Sequence, residues 1–273
     1  MTRDDGPAGI GPIACVVGAR PNYMKMAPIL RAFAAHGPPL PSLLVHTGQH
    51  YDSDMNDRLF VDLRLPRPDI NLEVGSGTHA VQTAEVMRRF EPVLDERRPS
   101  CVVVVGDVNS TLACSLVAVK KGVPVAHVEA GLRSFDRGMP EEINRVLTDQ
   151  IADLLYTTER AAHANLAREG IDAARMHFVG NVMIDSLIAN RSLAMAPRET
   201  LRRARIDPSA FDVASPYGVV TMHRPSNVDR EDALGPLLDV LREISDWLPL
   251  LLALHPRTRA NIERFGLEKR LSG

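Results

Sequence analysis

Residues 101–105, CVVVV, constrain the fold of this chain more than any other stretch. An unbroken apolar run rich in β-branched residues, with no polar alternation, suits a strand covered on both faces, as in a parallel sheet flanked by helices. The run stops at Gly106-Asp107, a helix-like segment covers Thr111 to Lys121, and a second apolar run spans Val123 to Val128. Strand, helix and strand with short joints make a βαβ crossover. Both strands lead into a carboxylate, Asp107 and Glu129, and open α/β sheets take their ligands at the carboxyl ends of the strands. A third acidic position follows at Pro140-Glu141-Glu142, where proline suits the first turn and acids suit the positive end of a helix reaching about Asp153. Each acid alone reads equally well as a cap, a strand terminator or a dipole partner. Their grouping, with His127 and Arg133 beside Glu129, points to a site.

A chain of 273 residues suits two domains and a large core. With 45% hydrophobic residues, 24% charged and a net charge of −2, it has no global attraction for nucleic acid or an anionic membrane, so an anionic ligand must be held locally. The three cysteines lack metal-ligand spacing; Cys15 and Cys101 fall in expected strands, and the odd count fits a reducing cytoplasm. Residues 1–12 carry no signal core and read as a disordered tail, and no apolar span approaches the roughly 20 residues of a membrane helix. The expectation is a cytoplasmic protein without membrane insertion.

Ahead of the central segment, Ile13 to Val17 reads as a strand that breaks at Gly18-Ala19-Arg20-Pro21-Asn22 before a helix carrying Met26, Ile29, Leu30 and Phe33. Neither a GxGxxG fingerprint nor a Walker lysine motif is present, but Arg20 and Lys25 are placed to clamp a diphosphate. Leu43 to Thr47 is a second strand, Pro66 to Asn71 a turn-rich connection, and Thr78 to Arg97 an amphipathic helix with Val81, Ala84, Val86, Met87, Phe90, Val93 and Leu94 as its buried stripe. His177 to Val179 reads as a further strand. Residues 194–216, punctuated by arginine and proline, separate a first domain (13–193) from a second (217–273), in which strands Tyr217–Met222 and Leu250–Leu254 flank a helix from Glu231 to Trp247. The second-domain strands end in His223-Arg224 and His255-Pro256. No HExxH pattern or helical histidine pair signals a metal.

Nine landmarks occur in order along the chain: GARPNYMKMAPI, TGQH, GDVNSTLA, HVEAGLRS, PEEINR, ADLLYTTE, GNVMID, HRPSN and HPRT. Together they resemble the motifs of the non-hydrolysing UDP-N-acetylglucosamine 2-epimerases. Asn22-Tyr23 stands where many members have Glu-Ala. The resemblance implies an α/β fold of two Rossmann-like domains of the GT-B type facing a central cleft, a homodimer, and interconversion of UDP-GlcNAc and UDP-ManNAc by elimination and re-addition of UDP, without a cofactor, to supply sugars for surface polysaccharide. It assigns catalysis to Asp107, Glu129, Glu141 and His223, substrate contacts to Arg20, Lys25, Arg133, Arg224 and His255, and a possible allosteric pocket to Gln49 and His50. A DSGG-type segment that relatives carry later in the second domain does not occur, so the second domain is expected to be incomplete and the chain poorly active. Two other readings stay open: a GT-B glycosyltransferase, and a catalytically silent fragment that binds sugar nucleotides.

Overall fold

The computed structural model describes residues 11–48, 60–204, 206 and 214–271. Its contacts divide the chain into two compact units, residues 1–192 and 193–273.

The first unit is built on a seven-stranded, all-parallel sheet. Its strands are β1 (Ile13–Val17), β2 (Ser42–His46), β3 (Ile70–Asn71), β4 (Cys101–Val105), β5 (Val125–Ala130), β6 (Leu154–Thr157) and β7 (Met176–Phe178), in the order β3-β2-β1-β4-β5-β6-β7. The chain thus works outward from β1 to one edge, then returns to lay β4 on the other side of β1. Connections from β1 and β4 leave toward opposite faces, and a crevice opens between their carboxyl ends. The βαβ unit read around residues 101–128 is present, but its second strand starts two residues later than expected and runs through Glu129.

Burial of β4 on both faces is what its composition demanded. Val102 and Val104 pack with Val86, Phe90 and Cys114, whereas Val103 and Val105 pack with Tyr23, Met26 and Val17. The first layer is held by helices α2 (His79–Arg97) and α3 (Asn109–Lys120), the second by α1 (Arg20–Ala35). At about 25 cal/mol per Å² of apolar surface, each buried valine of this strand contributes on the order of 2 kcal/mol. The cysteines are unpaired, and burial pushes the Cys15 thiol up to about 12, as expected of small core residues.

One part of the predicted α2 stripe is corrected. Val86, Phe90, Val93 and Leu94 are buried and Met87 is half-buried, but Ala84 is exposed, Val81 is 58% exposed and Gln82 takes the inward position in the first turn. Gln82 gains there what valine could not: its Nε2 donates to the Gly75 carbonyl (3.3 Å) and its Oε1 accepts from Asn109 Nδ2 (2.8 Å). Helices α4 (Pro140–Ile151), α5 (Arg160–Arg168) and α6 (Val182–Arg191) complete the unit.

In the second unit, α7 (Pro197–Arg203) precedes two parallel strands, β8 (Gly218–Met222) and β9 (Leu250–Leu254). They are joined through the short α8 (Pro225–Val228) and the long α9 (Glu231–Ser245), and α10 (Pro256–Phe265) follows. Val228, Leu234, Leu238, Ile262 and Leu267 form its core, while Val219 remains 67% exposed. Among the described residues no helix is long and apolar enough to cross a membrane.

Candidate active site

The crevice between β1 and β4 is fixed by an asparagine. Asn22 Oδ1 accepts from the amides of Gly18 (3.1 Å) and Ala19 (3.0 Å), and its Nδ2 donates to the Val105 carbonyl (3.0 Å). The side chain therefore staples the turn after β1 to the end of β4. The neighbouring Tyr23 is fully buried and donates to His46 Nε2 at 2.6 Å. Both residues that depart from the resembled motif serve the scaffold.

Lys25, one turn along α1, reaches across the crevice to Glu129, with Nζ 2.6 Å from Oε2. Gly106 permits this approach: it has φ +69°, and a Cβ there would lie 3.0 Å from Lys25 Nζ. Glu129 sits in a bulge of β5, where pairing with β6 shifts register between Val128 and Ala130, and its φ of +74° lies in the left-handed region. A non-glycine residue there costs on the order of 1–2 kcal/mol, so the neighbouring structure must hold it.

Asp107 follows β4 and is paired with Arg145 of α4. The same guanidinium donates through its other nitrogen to Glu142 Oε2 at 3.2 Å. Asn144 Nδ2 donates to the Asp107 carbonyl (2.9 Å) and to Asn109 Oδ1 (3.2 Å), tying α4 to the loop that carries Asp107. The two acids that open α4 are unlike. Glu142 is buried and accepts from the Ser134 amide (2.9 Å), the Ser134 hydroxyl (3.1 Å) and the Phe135 amide (3.0 Å). Burial opposes its ionisation, but these bonds and Arg145 outweigh it and hold the carboxyl below its ordinary value. Glu141 is half-buried, and its side chain makes no hydrogen bond or ion pair with other described residues.

Beneath Glu129 lies a buried ionic cluster. His127 Nδ1 faces Asp149 Oδ1 at 2.7 Å and its Nε2 donates to the Gly106 carbonyl at 2.8 Å. Asp149 Oδ2 accepts from the Gly131 amide (3.0 Å) and from Arg133 (2.8 Å), and Arg133 also forms a two-pronged pair with Glu169 (2.8 and 2.7 Å). Burial works against an ionised Asp149, yet His127 and Arg133 more than offset it and keep its carboxyl low. The Arg133 side chain is only 1% exposed and each of its three nitrogens has a partner, Nη1 donating to the Leu132 carbonyl. The substrate contact expected of Arg133 is thus redirected: it builds the floor under Glu129.

Arg20 is exposed at the start of α1. In the second unit, His223 and His255 end the paired strands β8 and β9 and their exposed rings stack at 5.5 Å, with Arg224 exposed beside them. His255 Nδ1 accepts from the Arg257 amide (3.1 Å). Gln49 and His50 lie outside the described residues. Sequence reasoning missed Asn144, Arg145 and Asp149. The first two were visible as positions three and four residues beyond Glu141, hence on its face of the helix.

The sequence matches the UDP-N-acetylglucosamine 2-epimerase family over residues 35–272. The chain belongs to that family. It is 40% identical over 261 residues to the UDP-N-acetylglucosamine 2-epimerase of Methanocaldococcus jannaschii, covering 95% of this chain and 70% of that protein. It is 42% identical to the UDP-2,3-diacetamido-2,3-dideoxy-D-glucuronate 2-epimerase of Pseudomonas aeruginosa, again over 261 residues, covering 94% of this chain and 70% of the relative. The crystal structure of the M. jannaschii epimerase in complex with UDP-GlcNAc and UDP superimposes with a TM-score of 0.81 at 38% identity, covering 95% of this chain and 70% of that one. The epimerase family's two-domain α/β architecture of the GT-B type is that expected from the sequence, and its members are isomerases.

Proposed function

We propose that the site on this chain is built to invert C2 of a UDP-linked 2-acetamido sugar, the interconversion of UDP-GlcNAc and UDP-ManNAc. The C2 hydrogen of such a sugar is weakly acidic and the ring holds no carbonyl to stabilise a carbanion. Elimination avoids the problem: a carboxylate takes the C2 proton, the C1–O bond to UDP breaks, and a 2-acetamidoglucal forms. UDP then adds back at C1 while a carboxyl group delivers a proton to the opposite face of C2. The reaction is neutral in electrons and needs no redox partner.

One observation carries this reading: Asp107, Glu129 and Glu141 stand on elements that meet at the carboxyl rim of the sheet, with Lys25 and Arg145 among them. Proton transfer on two faces needs more than one acid/base group, and departing diphosphate needs positive charge or donors. Asp107, Glu129 and Glu141 share the proton transfers, and His223 assists UDP departure. Arg20, Lys25, Arg224 and His255 contact the diphosphate or the sugar.

The P. aeruginosa relative favours a second substrate, a diacetamido-glucuronate linked to UDP, for the same chemistry. Proton NMR of the full chain with either nucleotide sugar, and no acceptor, separates the readings. A C2 epimer of one substrate supports the proposal and names that substrate. UDP release without an epimer speaks for glycosyl transfer, and binding without turnover for the silent reading.

A further inference from the structure

Alternation along β5 shows where Glu129 would otherwise point. Val125 and Ala130 belong to the core layer with Val86 and Phe90, while Ala126 and Val128 belong to the layer with Tyr23 and Met26. In a regular strand residues 125, 127 and 129 share one face. Position 129 would then lie with His127, turned from α1. Instead Ala130 occupies that layer, and Glu129, the extra residue of the bulge, is delivered to Lys25. A bulge re-aims a side chain in this way, at the cost of a left-handed residue that something must hold.

We propose that Asp149 is the positioning residue for Glu129. Its buried carboxylate takes His127 Nδ1 with one oxygen and the Gly131 amide with the other. These groups lie two residues before and two residues after Glu129, so one side chain from α4 pins both ends of the bulge. Arg133 supplies the counter-charge, and Asn165 Nδ2 holds the Gly131 carbonyl from α5 at 2.9 Å. The inference rests on reading Glu129 as an acid/base group; that Asp149 sets the bulge is a separate, structural statement.

The test is Asp149→Asn, alone and combined with Glu129→Gln, with crystal structures and steady-state kinetics of the full chain. Asparagine keeps one accepting oxygen and no charge, so Arg133 and His127 lose the carboxylate that holds them, and in D149N Glu129 should leave the positive-φ region or part from Lys25 beyond about 4 Å. Turnover should fall about a hundredfold, the scale of displacing a reacting group by about 1 Å. KM should change less than about threefold. On the Glu129→Gln background the same change should cost less than about twofold, because the group it positions is already gone. An unchanged Glu129 and Lys25 contact in D149N, or an equal loss of turnover on both backgrounds, overturns the proposal. Wild-type turnover in Glu129→Gln removes the catalytic reading of Glu129 instead, and the crystal structures still decide on Asp149. If D149N does not fold, His127→Gln leaves the Asp149–Arg133 pair intact and should release Glu129 in the same way; an unmoved Glu129 there also overturns it.

Discussion

Replacing Glu142 by glutamine removes one charge from a residue that is 2% exposed and whose side chain holds the loop before α4. Its Oε2 accepts from both groups of Ser134 and from Arg145, and its Oε1 from the Phe135 amide. A glutamine that keeps its carbonyl at the Oε2 position turns its amide nitrogen toward the Phe135 N–H, leaving two donors face to face. An unsatisfied buried donor costs about 1–3 kcal/mol, and the bonds that remain lose their charge assistance, about half their strength. The sum is about 3 kcal/mol. At roughly 2–4 °C per kcal/mol for a unit of this size, the melting temperature should drop by about 6–12 °C. Glu141→Gln breaks no hydrogen bond or ion pair of the described structure and should stay within about 0.5 kcal/mol of wild type, while losing turnover by about a hundredfold. Thermal melts beside NMR turnover assays read both variants. A stable E142Q with a destabilised E141Q would refute the division of labour between these neighbouring acids.

Gly131→Ala should cost at least about 2 kcal/mol, because φ there is +78° and a Cβ would lie 2.9 Å from both the Ala162 Cβ and its carbonyl oxygen; urea midpoints measure it, and an unchanged midpoint contradicts the packing described. Burial holds the His46 imidazole below its ordinary 6.5, so the unfolded chain takes up a proton that the folded chain resists. Stability should therefore fall as pH drops from about 6.5 toward the folded value, and His46→Gln should lack that part of the slope in urea midpoints taken between about pH 7.5 and 5.

Much of this site was legible because it depends on local pattern. The apolar run at 101–105 needs helices on both sides to be buried, and a carboxylate just past such a strand must lie at the rim, so Asp107 could be placed without coordinates. Glu129 was legible in identity but not in posture. Its left-handed backbone follows from bonds to Asp149, twenty residues later in the chain, and no spacing rule encodes a bulge. Arg133 misleads for the same reason: an arginine at a strand end suggests an anionic ligand, and only tertiary structure supplies Asp149 and Glu169 as internal partners. The exchange of Val81 for Gln82 on α2 shows a polar partner overriding hydrophobic period, since Asn109 comes from a different helix. Strand β6 and helix α5 were not read as elements, the one being four residues long and the other carrying mostly polar and small residues.

The fate of the C2 hydrogen separates elimination from any route that keeps that hydrogen on the sugar. In D2O the inverted product should carry deuterium at C2, because the proton taken by one carboxylate is lost to solvent before another is delivered to the opposite face. Asp107→Asn and Glu129→Gln should each slow that exchange by about a hundredfold. An epimerised product that retains its original C2 hydrogen, or full exchange in both carboxylate variants, would contradict elimination through these acids.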